Sequence, residues 1–517
     1  MKKYIHIKFI ALLLMFLTVS CETIDTNLTE DPSNLGADEA NIEFLFNASQ
    51  LGFNSFFQGL QFNVATVTRM ELMRNSPFYA SQFDSDSFNG VWINAYANCL
   101  IETKQLKELA FALETEDING NNIIAATQIM EAYVIVTLVD TFGDVPYSEA
   151  LQGSDNFNPG RDEGSAIYAD ARELLLNSIQ RIDAGGSVDL PSDIFYGGNM
   201  DNWKRLANSL LLKLAVSSRL NNSNAASQAN QVIGGGNFIS QNNQDFQFNY
   251  SDTADEPESR HPLFQSQYVG GAGIYMAAPF IRRMQGDPRF NYYFYLQNGE
   301  IFAREHGDAG PNVAADFPLI TVHGLYPVGG KYNDGSTGAT NAGQGAAGAG
   351  SSIIMTNAFT QFLIAEAQLM LNNNSGAALT AMENGIRASI SKVMNFQSFA
   401  IPSGAPEPTQ ADVDAYVSDA IARFNAASGN EAKLDVIITE YYKSAWGNGI
   451  EIYNNFRRTS YPSDLAPSVV PNPGTFTNSM LYPAIYVNNN NNPDAVQKAS
   501  VGEKVWWAEG TTFNLDF

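Results

Sequence analysis

Few residues of this sequence stand in the arrangements that catalysis usually requires. The chain contains no HExxH, CxxC or GxSxG motif. The segment 343–348 matches GxGxxG, but a dinucleotide site needs that motif between a buried strand and a helix, and here it follows the turn-forming residues 334–340. Only three histidines lie beyond residue 20, namely His261, His306 and His323. These observations favour a protein that binds a ligand over one that transforms it.

Acidic residues are the one plentiful source of catalytic or metal-binding groups, since the sequence contains 54 of them. A glycoside hydrolase needs a pair of carboxylates, but so many acids single out no pair, and a surface glycoside hydrolase stays as the alternative function. Residues 117–121 and 84–86 place oxygen ligands at alternate positions, as a calcium loop does. Both lack the later bidentate Glu, so helix-capping turns are the favoured interpretation. We expect no catalytic residue, cofactor or metal, with a structural calcium ion as an alternative that nothing indicates.

Aromatic residues give a stronger indication of binding. Sugar rings stack on aromatic faces while their hydroxyls bond to polar neighbours, and peptides use the same mixture of contacts. Between residues 78 and 96, six aromatic side chains are interspersed with Ser, Asp and Asn: Phe78, Tyr79, Phe83, Phe88, Trp92 and Tyr96. The competing interpretation places these side chains in the core, since Trp92 and Tyr96, four residues apart, would share one face of a helix.

The predicted ligand site consists of Tyr79, Phe83, Trp92 and Tyr96. Tyr326 and Tyr332 are added from the glycine-rich segment 324–350, in which Gly, Ala, Asn and Thr are abundant. That segment is expected either to fold over a ligand as a mobile loop or to leave the body of the protein as a surface excursion.

The N-terminus carries the pattern of an export signal. Lys2 and Lys3 lie at the start of the chain, ahead of the apolar stretch 9–17 and the small residues 18–20, which is the order of a secretory signal peptide. The apolar stretch is about half of the ~20 residues that span a bilayer, so it predicts a signal and not an anchor. Cys21 follows directly, as in the lipobox of bacterial lipoproteins, although Thr18 stands where that motif usually has leucine. We expect residues 1–20 to be removed and Cys21 to be acylated; the alternative is an ordinary signal peptide followed by a chance cysteine.

The composition is strongly acidic, with a formal charge of −25 that becomes −28 when residues 1–20 and their three lysines are removed. Nucleic-acid binding depends on Lys and Arg that neutralise phosphates, and electrostatic attachment to a membrane needs basic clusters. The charge argues against both, so lipid on Cys21 is the expected means of attachment, with more than one acyl chain for stability. The second cysteine, Cys99, then has no partner and is predicted to be a buried, inert thiol.

Apolar residues recur at helical spacing through much of the chain. Helices are predicted, in chain order, at 121–138, 165–182, 203–220, 357–371, 376–392, 410–427 and 434–456. The fourth and fifth of these form a predicted pair joined by an asparagine-rich turn.

Long irregular stretches separate the predicted helices, at 236–275, 291–352 and 457–517. Loops of this length in a compact protein are usually functional. No Pro-rich, Ser-rich or charged linker divides the chain, so residues 21–517 are predicted to form one domain behind a signal peptide at 1–20.

Several segments follow one another in the order of a known protein family. They read NLTEDP at 27–32, TFGDVPYSEAL at 141–151, DIFYGG at 193–198, WKRLANSL at 203–210, GDPR at 286–289, FLIAEA at 362–367 and YNNFRRTSYP at 453–462. Together they resemble the SusD/RagB family of nutrient-binding outer-membrane lipoproteins. The resemblance extends over nearly the whole chain beyond residue 20.

The resemblance implies a mainly α-helical protein in which helix pairs like tetratricopeptide repeats pack against a more irregular, loop-rich half with little β-structure. It further implies a lipid-anchored protein on the outer face of the outer membrane, where it covers a SusC-like TonB-dependent barrel. Such proteins capture oligosaccharides, or in some members peptides, and deliver them to the barrel without chemistry. The expected partners are therefore that barrel, the ligand and, through the lipid on Cys21, the membrane. Glycan and peptide cargo both stay open.

Overall fold

The computed structural model describes residues 42–73, 76–112, 119–190, 192–255 and 257–511. Cys21 and the signal peptide predicted at 1–20 lie outside the described residues. Lipidation and export therefore stay predictions.

Long helices build the N-terminal half of the described chain. In chain order they are α1 (Ile42–Val67), the single turn α2 (Tyr79–Gln82), α3 (Asn89–Ala95), α4 (Ile101–Ala112), α5 (Asn121–Phe142), α6 (Gly164–Ala184), α7 (Met200–Ser217) and α8 (Ala225–Gly235). A π-turn, Tyr96–Leu100, joins α3 directly to α4. Helix α1 crosses this turn at Gly52, where a Cβ atom would lie 1.8 Å from the carbonyl oxygen of Asn98. Only glycine permits so close an approach of the two backbones.

Helix α5 forms the centre of this half. It has 22 residues and is apolar enough to cross a membrane by length and composition, yet 89% of its most apolar stretch is buried inside the protein. A helix that is apolar on all sides belongs in the core of a large protein when neighbours cover it. Helix α6 packs along α5 and also contacts α7, which in turn packs on α8. The buried residues of α6 recur at helical spacing and include Ile167, Ala171 and Leu175.

The C-terminal half mixes short and long elements. They are β1 (Phe246–Asn249), α9 (Pro262–Phe264), α10 (Ala278–Arg283), α11 (Phe290–Tyr293), β2 (Phe294–Leu296), β3 (Thr321–His323), β4 (Ser351–Met355), α12 (Asn357–Glu366), α13 (Ser375–Met394), α14 (Gln410–Ala426), α15 (Gly429–Ser444), α16 (Gly449–Thr459) and α17 (Ala484–Asn489). Two further π-turns, Gln265–Val269 and Ala367–Leu371, continue α9 and α12. The strands form two antiparallel pairs, β1 with β4 and β2 with β3. The mainly helical fold with little β-structure is confirmed.

The predicted helices are confirmed to within a few residues at six of the seven positions, and α12 and α13 form the predicted pair. The seventh, 434–456, is wrong as one helix, because α15 ends at Ser444 and α16 starts at Gly449. Between them Gly447 has a φ of +90°, which a right-handed helix cannot contain. Asn448 caps α16, and its amide donates to the carbonyl oxygens of Ile353 and Ile354 at 2.9 and 3.0 Å.

The glycine-rich segment 324–350 is buried at its two ends, while residues 335–339 and 341–343 are exposed at the surface. Its residues at 324–330 are all buried, and its backbone bonds to itself, with Ala346 and Gly348 both donating to the carbonyl oxygen of Gly329 at 3.1 Å. A Cβ atom on Gly345 would lie 1.8 Å from the carbonyl oxygen of Gly330. The glycines therefore let backbone pack on backbone inside the protein.

The prediction that Cys99 is a buried thiol is confirmed. It lies in the π-turn after α3 and is completely shielded from solvent. Burial, with a smaller contribution from the nearby carboxylate of Glu131, raises the pKa of this thiol. A thiol that stays protonated is a poor nucleophile, so Cys99 serves packing.

Candidate functional site: an aromatic cleft

An open cleft of about 420 Å³ lies where α3, the π-turn behind it, α17 and the loop after α5 meet. We call it the aromatic cleft, and its lining residues are Trp92, Tyr96, Ala97, Ile101, Pro146, Ala150, Leu151, Gln152, Gly153, Asn156, Phe157, Pro159 and Tyr486. None of them is an acid, a base or a histidine. The surface offered to a ligand is therefore apolar and uncharged, with two amide side chains.

Trp92 and Tyr96 form the inner wall of the aromatic cleft. They lie one helical turn apart, with ring centroids 4.7 Å from each other. Trp92 also packs against Tyr486 at 5.0 Å and against Phe142 at 5.6 Å, so 8% of it remains exposed. The hydroxyl of Tyr96 donates to the carbonyl oxygen of Pro146 at 2.7 Å. These contacts fix both rings before any ligand arrives, which lowers the entropic cost of binding.

The loop after α5 supplies the outer wall. Lys104 donates to the carbonyl oxygen of Leu151 at 2.6 Å, which holds the loop against α4. On the far side, Asn490 donates to the carbonyl oxygen of Pro159 at 2.9 Å, and the backbone of Asn491 donates to the side chain of Asn158 at 2.7 Å. Part of the asparagine run at 488–492 thus joins this loop to α17.

Phe157 projects from this loop at the rim of the aromatic cleft. It is 73% exposed, although its neighbours in the loop are held by hydrogen bonds from the asparagines that follow α17. The exposed ring lies at the edge of an apolar cleft, where a ligand that enters the cleft can contact it.

Helix α17 is in turn fixed to the segment before α3. Its first residues donate from the backbone, Ala484 to the carbonyl oxygen of Ser85 at 2.8 Å and Ile485 to the side chain of Asn89 at 3.0 Å. Asp84 closes a turn by accepting from the backbone and hydroxyl of Ser87, but it does not cap α3, whose N-cap residue, Phe88, makes no side-chain capping bond. That hydroxyl contact holds the pKa of Asp84 below its ordinary value.

The two tyrosines of the aromatic cleft are neutral. Burial raises the pKa of Tyr486 to about 12, and burial raises that of Tyr96 well above its ordinary value. Among the described residues the buried hydroxyl of Tyr486 has no hydrogen-bond partner. Within the same ranges no three His, Cys, Asp or Glu side chains converge as metal ligands.

The structure brings two of the six predicted site residues, Trp92 and Tyr96, into one cleft. Phe83 is 9% exposed and packs edge-on against Phe88, outside the lining of the cleft. Tyr79 is buried, and its hydroxyl accepts from the guanidinium of Arg69 at 2.5 Å. Its hydroxyl thus pairs with a buried guanidinium, and the buried side chain is inaccessible to a ligand.

Tyr326 and Tyr332 also lie outside the lining of the aromatic cleft. Tyr326 is buried and stacks on Tyr293 at 5.7 Å. Tyr332 is fully buried, packs edge-on against Tyr292 and donates its hydroxyl to the carbonyl oxygen of Pro406 at 2.7 Å. Both rings fill the interior around the glycine-rich segment, because the backbone there folds inward.

Sequence reasoning missed Phe157 and Tyr486. Phe157 stands in Asn156-Phe-Asn-Pro159, and a lone aromatic residue among turn formers is a weak signal of exposure. Tyr486 lies almost four hundred residues from Trp92. No local pattern could have paired them.

Residues 41–483 match the SusD-like family, described as starch-binding and associating with the outer membrane. The chain belongs to this SusD-like family. The family resemblance read from the sequence is thereby confirmed. No curated protein matches the sequence significantly.

Solved structures of SusD homologues share this fold. A SusD homologue from Bacteroides fragilis is 22% identical, with a TM-score of 0.69 over 91% of this chain and 99% of its own. A chitin-binding SusD homologue from Flavobacterium johnsoniae is 20% identical, with a TM-score of 0.66 over 91% and 99%. A SusD/RagB family protein from Bacteroides thetaiotaomicron is 18% identical, with a TM-score of 0.69 over 92% and 100%. At these identities the likeness establishes the SusD-like fold.

Proposed function

We propose that this SusD-like protein binds neutral oligosaccharides in the aromatic cleft at the cell surface and delivers them to a SusC-like TonB-dependent barrel. The observation that carries the proposal is a prearranged, uncharged, aromatic-lined cleft in a chain whose family is described as starch-binding and outer-membrane-associated. The chitin-binding homologue from Flavobacterium johnsoniae supports a glycan as the ligand.

The chemistry of the lining favours a neutral glycan over a peptide. Trp92, Tyr96 and Phe157 offer ring faces for the apolar faces of sugars, while Gln152 and Asn156 offer amides for hydroxyls. An anionic glycan, or a peptide with charged side chains or termini, would bring charges into a cleft whose described lining residues carry no opposite charge. Removing such charges from water without a partner is unfavourable.

Calorimetric titration of the mature protein with maltoheptaose and with chitohexaose tests this assignment. Phe157→Ala should weaken binding about tenfold, because an aromatic contact contributes about 1 kcal/mol or somewhat more. Phe399→Ala is a matched control, since Phe399 is 76% exposed and lies outside the aromatic cleft. Equal affinities of the two variants, or preferential binding of a charged peptide pool, would contradict the assignment.

The same incubations test the proposed absence of catalysis. Chromatography of the glycans after prolonged incubation should recover them at full length. Shortened products would favour the alternative, a surface glycoside hydrolase.

Attachment and partnership need tests in the native membrane. Labelling with palmitate should be lost in Cys21→Ala, and persistent labelling would show that another residue is acylated. Purification from detergent-solubilised outer membrane should bring down a large barrel protein, whereas a reproducibly solitary polypeptide would count against delivery to a transporter.

A further inference from the structure

A second cleft, of about 290 Å³, lies between α6, the end of α7 and the C-terminal segment. We call it the polar cleft, and its lining residues are Ser165, Tyr168, Ala169, Arg172, Leu214, Ser218, Asn221, Asn222, Ser223, Gln228 and Trp506. In contrast to the aromatic cleft, it combines one indole ring with a guanidinium and three side-chain amides. No residue of the polar cleft lines the aromatic cleft.

Among the described residues that line the polar cleft, Arg172 alone is charged. Tyr168 and Arg172 are four residues apart on α6 and so share one face. The neighbouring acids Asp170 and Glu173 lie on another face, where they line a separate cleft with Arg181. Within the described part of the chain, Arg172 has neither an ion pair nor a hydrogen bond. In a chain with a formal charge of −25, an unpaired guanidinium in a cleft is an available anion site.

Trp506 gives the polar cleft a fixed aromatic face. Its ring meets that of Tyr168 edge-on at 5.0 Å, and Tyr168 is itself held by Asp140, which accepts from its hydroxyl at 2.5 Å. The carbonyl oxygen of Trp506 accepts from the side chain of Asn221 at 2.7 Å. The indole therefore keeps its position without a ligand.

Amide groups complete the lining. Asn222 donates to the hydroxyl of Ser218 at 3.1 Å and to the amide oxygen of Gln228 at 2.9 Å. The amide nitrogen of Gln228 donates to no acceptor among the described residues, so it is available to the hydroxyl of a ligand. The polar cleft thus combines an aromatic face, amides and a guanidinium, and each of these groups matches a different part of an acidic sugar.

We propose that the polar cleft is a second carbohydrate site, in which Arg172 holds the carboxylate or sulfate of an anionic sugar whose ring packs on Trp506. A planar guanidinium donates two parallel hydrogen bonds to a carboxylate and binds a sulfate oxygen pair in the same way. The proposal is independent of the neutral-glycan site, because the two clefts share no residue.

Titration calorimetry with two matched pairs of probes tests the proposal. Trigalacturonic acid is compared with its methyl ester, and 3′-sulfolactose with lactose, so that the two members of each pair differ only at the anionic group. We expect at least one acidic member to bind about tenfold or more tightly than its neutral partner, as hydrogen bonds to charged groups allow. The pair that shows the difference identifies the anion.

Three variants assign that difference to the polar cleft. Arg172→Gln should abolish the preference for the acidic probe, while Arg172→Lys, which keeps the charge and loses the planar fork, should retain part of it. Arg282→Gln removes one positive charge from a side chain that is 50% exposed and paired with Glu305 elsewhere. It should leave the preference unchanged. Thermal melting of each variant confirms that it is folded.

Several outcomes would overturn the proposal. Equal binding of the acidic and neutral members, or no binding of either acid, removes the anion site. An effect of Arg282→Gln as large as that of Arg172→Gln would show a general effect of charge. Loss of acid binding in Phe157→Ala would place the ligand in the aromatic cleft. Failure of neutral-glycan binding alone would affect the proposed function and leave the polar cleft in place.

Discussion

The aromatic cleft and the glycine-rich segment 324–350 both contain tyrosines that the sequence marks as binding residues, and they use them in opposite ways. In the cleft, Tyr96 turns its hydroxyl to a backbone oxygen and leaves ring surface at an opening. In the glycine-rich segment, Tyr332 buries ring and hydroxyl together. The difference follows from the backbone around each ring. Helices α3 and α17 leave an open space beside the loop after α5, whereas the glycines of the segment 324–350 let its backbone pack against itself.

Truncation of Tyr332 should give the largest effect. We expect Tyr332→Ala to lower the free energy of unfolding by about 4 kcal/mol, because it leaves a cavity in the core. Tyr332→Phe should cost about 1 kcal/mol, for the hydrogen bond to Pro406. Denaturant titration measures both, and calorimetry should show unchanged glycan affinity in the folded Tyr332→Phe variant. Weakened binding there at near-normal stability would place Tyr332 in contact with the ligand.

Two glycine substitutions test the inward packing of the glycine-rich segment. Gly345→Ala should lower the free energy of unfolding by about 3 kcal/mol, because the new methyl group meets a backbone oxygen and because φ there is +65°. Gly343→Ala is the control, since its nearest atom would be the side-chain oxygen of Asn341 at 3.6 Å. Thermal unfolding should separate the two variants clearly. Equal tolerance would mean that the segment is open.

Removal of single hydroxyls sharpens the comparison within the aromatic cleft. Tyr96→Phe loses the bond to Pro146 and should lower the free energy of unfolding by about 1 kcal/mol. Tyr486→Phe removes a buried hydroxyl that has no partner among the described residues, so it should raise that free energy by about 1 kcal/mol. The two changes in the free energy of unfolding, measured from denaturation midpoints, should therefore have opposite signs. Destabilisation by Tyr486→Phe would reveal a partner for its hydroxyl.

The smallest expected effect is that of pH on the aromatic cleft. Among the described residues, no carboxylate, amine, guanidinium or imidazole lines it, and burial raises the pKa of Tyr486 to about 12. The two tyrosines of the cleft, Tyr96 and Tyr486, therefore stay neutral between pH 5 and pH 9. Neutral-glycan affinity should be the same at both of these pH values. A change in the calorimetric affinity across that interval would mean that a titrating group contacts the ligand.

Sequence patterns predicted much of the helical framework because helix formation is encoded locally. The apolar run of α5 and the periodic faces of α6 and α7 were legible without a structure, and so was the pair α12 and α13. The prediction failed at Gly447, where a single positive φ divides a continuous apolar pattern. Helix α1 was not predicted either, because its aromatic residues can be recognised as a buried face only once the helices packed against it are known.

The ligand site was predictable only in part. Trp92 and Tyr96 form a local pair at helical spacing, so the sequence could nominate them. Tyr486 contacts Trp92 although almost four hundred residues separate them, and the position of Phe157 depends on a loop held by the asparagines that follow α17. Tyr79 lies buried beside Arg69, and no local sequence pattern indicates that burial.

The sequence by itself determined the family, the acidic and mainly helical character of the chain, and the type of residue available for binding. These follow from composition, periodicity and ordered motifs, each of which is a property of neighbouring residues. The tertiary structure decided which aromatic rings face an opening and which fill the core, and it separated the uncharged cleft at Trp92 from the polar cleft at Arg172. Those outcomes depend on contacts between segments distant in the chain, where packing and the satisfaction of buried polar groups set the position of every ring.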